Sequence, residues 1–201
     1  MVAIEPGCRR LLCRGGNNAD VEIFCRMVPD LEKILERLNG LESRGVIGPY
    51  AIGGAFAFVF YAEPIDTRDL DIFTRLPVSS GGLVLLDKLY AELQEQGCIP
   101  EGEAVLIEGY PVQILPESTP LVEEGVREAI SVQVGKQTTR VFSQEHAVAI
   151  ALQTNRAKDR LKIEHLFETG RVPLDRSRLE DILRRHGLLE RWRRFLELRR
   201  G

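Results

Sequence analysis

The 201-residue sequence predicts an α+β fold: a mixed β-sheet core flanked by helices, with a helical C-terminal region. Three observations carry that prediction. Apolar runs of strand length alternate with helical patterns as far as residue 142. From Ser143 onward only helical periodicity remains. Between two of the early strands sits a double glycine, Gly53-Gly54, the mark of a tight strand-to-helix corner. The chain accordingly divides into an N-terminal extension over 1–28, an α+β domain over 29–142 and a helical region over 143–201.

In chain order, two short extended runs flank Gly15-Gly16-Asn17-Asn18 and suggest a hairpin within residues 8–26. A helix follows Pro29-Asp30, where Asp30 is placed to cap the free amides. Its apolar stripe is Leu31, Ile34, Leu35, Leu38 and Leu41, and Gly45 with Gly48-Pro49 ends it. The run from Tyr50 to Tyr61 is apolar apart from its double glycine and reads as strand, turn and buried helix. A short strand covers 69–75. A helix over 82–96 turns Leu85, Leu86, Leu89 and Leu93 inward. Val105 to Leu115 folds as two strands about Gly109-Tyr110, and 131–141 does the same about Gly135-Lys136. Ser143 then caps the first of four helices, over 144–154, 158–169, 176–186 and 188–199.

Composition narrows the function classes. Apolar residues make up 44% and charged residues 28%, enough for a packed core, and a net charge of −3 argues against wholesale coating of nucleic acid. No apolar run reaches the ~18–20 residues of a membrane helix, and the N-terminus lacks the pattern of a signal peptide, so a cytoplasmic protein is expected. Cys8, Cys13, Cys25 and Cys98 form no Cys-x-x-Cys pair, which favours reduced thiols over a zinc knuckle.

The chemistry concentrates in Gly53-Gly54 and, after fourteen intervening residues, Asp69-Leu70-Asp71-Ile72-Phe73. Alternation along a strand puts Asp69 and Asp71 on one face, with Cα atoms roughly 7 Å apart. Two carboxylates so placed repel unless a cation lies between them. Mg²⁺, or Mn²⁺ in its stead, suits them: it takes hard oxygen ligands and commonly bridges carboxylates to substrate phosphates. Glycine lets backbone amides approach a phosphate closely, and a following helix points its positive end at the anion. A lone Asp-x-Asp or a lone Gly-Gly means little. In strand–turn–helix–strand order, with apolar residues at the alternate positions, the two together point to a site for a nucleoside triphosphate (NTP).

Ala51-Ile52-Gly53-Gly54-Ala55 followed by Thr67-Arg68-Asp69-Leu70-Asp71-Ile72-Phe73 resembles the nucleotidyltransferase superfamily, most of all the minimal, AbiEii-like members of type IV toxin–antitoxin systems. Asn155-Arg156-Ala157-Lys158-Asp159 resembles their Gly-Arg-x-Lys-Asp segment, after a helix that opens near an acid, here Glu145. The likeness is sharp over 51–73 and loose elsewhere. It implies a nucleotidyltransferase-type sheet and Mg²⁺-dependent transfer of a nucleoside monophosphate from an NTP, with release of pyrophosphate. Gly53 and Gly54 would then contact the triphosphate, with Arg68 and Lys158 supplying positive charge, while Asp69 and Asp71 would be the catalytic, metal-holding pair. The acceptor is left open: RNA, a protein or a small molecule.

The departures define a rival. In Gly109-Tyr110-Pro111-Val112-Gln113-Ile114, Gln113 stands where the resemblance calls for a third acid, and an amide cannot act as a base. Ala151 replaces a lysine and Lys162 an acid. Glu108 lies five residues before Gln113, so only the hairpin turn could realign it. The alternative is therefore a degenerate member acting as a binding or regulatory module.

Other residues read more plainly. Lys158-Asp159 braces the helical half more readily than it binds nucleotide. Arg68 and Arg75 flank the acidic strand, either as phosphate neutralisers or as surface residues. His146, His165 and His186 lie on separate helices without metal-ligand spacing. Trp192, Phe195 and Leu196 with Leu188 and Leu189 form a packing stripe. From Arg171 to the end there are ten arginines against five acids, a surface for RNA, an acidic protein partner or solvent.

Overall fold

A computed structural model describes residues 27–77 and 87–200. The hairpin expected within 8–26, and Leu85 and Leu86 of the expected helix, lie outside the described residues, as do Cys8, Cys13 and Cys25.

Helix α1 (Leu31–Ser43) buries all five residues of its predicted stripe. Each such side chain is worth roughly 1.5–3 kcal/mol when fully buried, well above any exposed ion pair, so apolar contact fixes this helix. Asp30 does not cap it. The residue is left-handed (φ 54°), its side chain accepts no amide, and its carboxylate instead meets Lys33 Nζ at 2.9 Å. Its backbone carbonyl takes the amides of Lys33 and Ile34.

Strand β1 (Tyr50–Ile52) is wholly buried, and α2 (Gly54–Val59) follows at once. Strand β2 (Leu70–Thr74) alternates buried and half-buried residues, as a strand with one core face must. Then come α3 (Asp87–Glu95), with Leu89 and Leu93 buried, β3 (Ile99–Glu101), β4 (Ala104–Ile107) and β5 (Tyr110–Pro116). Helix α4 (Pro120–Arg127) and strand β3 are absent from the sequence reading. Thr119 accepts the amide of Val122, and Pro120 opens the helix, a Thr-Pro start that is visible in the sequence. Strands β6 (Ile130–Val134) and β7 (Gln137–Val141) form the expected hairpin.

Among the described residues the strands form one sheet in the order β3-β4-β5-β2-β1-β7-β6. The pairs β2–β5 and β1–β7 are parallel and the others antiparallel, so the sheet is mixed, as the sequence predicts. The last four helices are α5 (Gln144–Thr154), α6 (Ala157–Thr169), α7 (Arg176–Arg185) and α8 (Leu189–Arg200). Helix α5 is buried on nearly every side, because α2, α4, α6 and α7 all pack on it. One apolar cluster runs from Val28 to Phe195 and joins sheet and helices. Phe167, Trp192 and Phe195 stack within 5.6–6.3 Å of one another, so the C-terminal aromatic stripe is packing.

Candidate functional site

Strand β2 lies between β1 and β5, and this arrangement builds the site. The antiparallel β1–β2 register ends as Ile52 pairs with Ile72, and the Gly53 amide donates to the Asp71 carbonyl at 2.9 Å. The chain then turns through Gly54, at φ +55°, into α2. An added Cβ on Gly53 would come within 2.5 Å of the Phe73 ring and 2.7 Å of Phe142. On Gly54 it would lie 1.7 Å from Asp71 Oδ2. The acidic strand and the glycine corner are therefore in direct contact, and Asp71 leans across the opening of the helix.

Two expectations change here. The Gly53 amide is already bonded to the strand, so the amides of Gly54 and Ala55 are the ones at the opening of the helix, where none has an acceptor four residues back. Helix α2 has only six residues, so it offers local N–H groups rather than a long macrodipole.

Asp69 stands just before β2, half-buried, and shares a face with Asp71. The parallel β2–β5 register sets Asp71 beside Gln113, whose Nε2 donates to Asp69 Oδ2 at 2.5 Å. Burial pushes the Asp71 carboxyl up to about 6, and the Asp69 charge adds to that; Lys162, Lys158 and Arg156 pull the other way. Tyr110, which sequence reading passed over, lies edge-on to Phe56 at 6.4 Å, and burial and the charges of Asp69 and Asp66 raise its hydroxyl.

The positive charges that act on Asp71 come from the first half of α6 and the residue before it. Asn155 is left-handed (φ 53°) and ends α5; Arg156 then begins the next helix. Asp159, 2% exposed, organises this turn by accepting from Thr154 Oγ1 at 2.8 Å, from Arg156 Nε at 2.7 Å and from Lys162 Nζ at 3.3 Å. Burial alone would raise its carboxyl, but these hydrogen bonds and charges outweigh it and hold the group at about 2. Asp159 thus braces the turn between α5 and α6, through Thr154, Arg156 and Lys162, rather than tying the helical half to the core with Lys158, which stays exposed. Arg68 is exposed at the turn into β2.

Other candidates fall away from this centre. Glu108 adopts φ 52° at the β4–β5 turn and pairs with Arg37, its Oε1 2.7 Å from Arg37 Nε, so it does not replace the missing acid. Arg75 pairs with Glu117 and Glu123. Ala151 is buried among apolar neighbours, where a lysine would be costly.

The histidines correct a sequence expectation in part. His146 Nε2 and His186 Nε2 both meet Glu124, at 3.2 and 2.8 Å, and Arg185 Nη2 joins them at 2.5 Å. Ser143 Oγ holds His146 Nδ1 at 2.8 Å. Glu124, Glu128 and His146 bring potential ligand atoms within 4.8 Å of one another, beside a cleft of about 640 Å³ between α4 and α7. Burial raises the Glu124 carboxyl, but Arg185, His186 and His146 together bring it to about 2. The Glu124 charge is already met from within the cluster by the Arg185 guanidinium.

No protein-family model matches the chain. No curated protein matches it either. Among solved structures it is similar to an antigenic nucleotidyltransferase-like protein from Paracoccidioides brasiliensis, at 15% identity and TM-score 0.48, over 69% of this chain and 74% of that one. It is also similar to the antibiotic-resistance factor ANT(2'')-Ia, at 12% identity and TM-score 0.46, over 86% of this chain and 99% of that one. Likenesses this loose leave the function to be argued from the site itself.

Proposed function

We propose that the chain is a Mg²⁺-dependent nucleotidyltransferase that binds an NTP at the Gly53-Gly54 corner and passes its nucleoside monophosphate to an acceptor. One observation carries this reading: the Asp71 carboxylate lies against Gly54, with Asp69 on the same face. Two hard-oxygen ligands at a backbone corner form a donor set that fits Mg²⁺, and burial first, with the Asp69 charge after it, raises the Asp71 carboxyl. A divalent cation held by Asp69 and Asp71 supplies charge neutralisation on the phosphate oxygens.

The chain's own residues do the rest. Gly54 leaves room for the Asp71 carboxylate at the corner, where a Cβ would collide with it, and the opening amides of α2 donate to a phosphate bound beside them. Lys158 and Arg68, both exposed, neutralise the triphosphate's outer oxygens. In the transfer an acceptor oxygen bonds to the α-phosphorus, the bond to the β-phosphate bridge breaks, and pyrophosphate leaves. The acceptor proton passes to solvent, since Gln113 is no base. Membership of the toxin type rests on the sequence resemblance alone. RNA, a protein or a small molecule would each supply such an acceptor oxygen.

A second reading is favoured by one contact. Gln113 donates to Asp69 in place of a third carboxylate, which suits a module that binds nucleotide without transferring it. The readings separate when the protein is incubated with labelled ATP, CTP, GTP or UTP, Mg²⁺ and total RNA. Label transfer that disappears in Asp69→Ala and Asp71→Ala supports the enzyme. Binding without transfer supports the module. Neither binding nor transfer defeats both.

A further inference from the structure

Parallel pairing of β2 with β5 brings Asp71 and Gln113 side by side, and Asp69 lies two residues back on the same face. Three side chains thus converge, two of them charged. Phosphoryl-transfer centres with two cations hold the ions about 3.5–4 Å apart, a repulsive arrangement that needs anionic oxygen between and around them. Here the third position is a neutral amide. Its N–H end points at Asp69 Oδ2, using an oxygen that a second ion would share; the reverse orientation would set oxygen against oxygen.

Lys162 adds positive charge. Its side chain is 16% exposed, and its ammonium reaches Asp159 Oδ1 at 3.3 Å. Asp159 cannot serve as a further anion for the centre, because Arg156, Thr154 and Lys162 already occupy its oxygens. Among the described residues, the anionic ligands left on the protein side are Asp69 and Asp71 alone.

We infer that this centre takes a single divalent cation with its triphosphate, Gln113 excluding a second. The inference rests on the nucleotide reading above and identifies Gln113 as setting the ion count.

The test is a Mn²⁺ titration of the full chain, followed by electron paramagnetic resonance, with each of the four α,β-methylene NTP analogues. One Mn²⁺ per chain is expected, with an uncoupled spectrum. Gln113→Asp should raise the count to two and give a spin-coupled pair, and Gln113→Glu provides a longer carboxylate should the first variant not fold. Two ions in the wild type would overturn the inference and leave the nucleotide reading standing. So would a carboxylate variant that folds, judged by circular dichroism, and still binds one ion. No Mn²⁺ in the wild type with any analogue would overturn the nucleotide reading itself. Should neither variant fold, the wild-type count still decides.

Discussion

Gly54 and Asp71 share one space: the position a Cβ on residue 54 would take is 1.7 Å from Asp71 Oδ2 and 2.6 Å from its Cγ. Gly54 also sits at φ +55°, where side chains are disfavoured. Gly54→Ala must therefore move the carboxylate, the corner or both. The expected result is a loss of about 1–3 kcal/mol of stability in urea denaturation and at least a tenfold weaker Mn²⁺ affinity. Wild-type affinity and stability in this variant would mean that the corner and the carboxylate are not in contact.

Asp71 is a carboxyl whose native state resists ionisation, raised from 3.8 to about 6 by burial and then by Asp69. A raised folded value means the ionised group opposes folding. The cost sets in as pH rises above 3.8 and is complete above about 6. Asp71→Asn should thus stabilise the metal-free chain at pH 7 by on the order of 2 kcal/mol, and should have little effect at pH 3. Mg²⁺ should stabilise the wild type and not the variant. Denaturation curves at the two pH values decide; a variant less stable than wild type at pH 7 without metal would refute the account.

Asp159 and Glu124 carry the opposite sign. Both are held at about 2, against ordinary values of 3.8 and 4.5, by the groups that donate to them. Their stabilisation is complete above those ordinary values and is lost as pH falls toward 2. Stability should drop steeply between about pH 4.5 and 2. Asp159→Asn should cost about 2 kcal/mol at pH 7, because it leaves the largely buried Lys162 ammonium without its anion and gives Arg156 and Thr154 a weaker acceptor, and should flatten the acid limb. A variant with an acid limb as steep as wild type would remove Asp159 from the explanation.

What could be read from sequence was local. Gly53-Gly54 and Asp69-x-Asp71 were legible because strand alternation and glycine's freedom act within a few residues, and the stripe of α1 because helical period does too. The meeting of His146 and His186 at Glu124 was not legible, since α4, α5 and α7 come together only through packing. Neither was the bond from Gln113 to Asp69, which depends on parallel register across 44 residues. Asp30 misled because a residue fit to cap was turned left-handed by the chain entering α1. Strand β3, three exposed residues at the sheet edge, has no apolar pattern to announce it.

The arginines at the C-terminus yield a last prediction, since most of those described are engaged within the chain. Arg171 donates to the Val59 carbonyl, Arg185 meets Glu124, and Arg178 bridges to Glu128 and Glu145. Arg191 donates to the carbonyls of Leu152 and Gln153 at 2.8 and 2.7 Å, closing the end of α5, and Arg199 lies 4.5 Å over the Phe167 ring. Arg193 and Arg194 only reach Glu190 at 3.6 and 3.7 Å, and are 68% and 74% exposed. Arg191→Ala should therefore cost roughly 1–2 kcal/mol by leaving two helix-end carbonyls without their charged donor. Arg193→Ala with Arg194→Ala should change stability by less than about 0.5 kcal/mol. With few guanidiniums uncommitted, tRNA binding by this face should be weak, with a log–log salt slope no steeper than about −2 in filter-binding assays. A much steeper slope that collapses in the Arg193, Arg194 double variant would instead make this face a true RNA-docking surface.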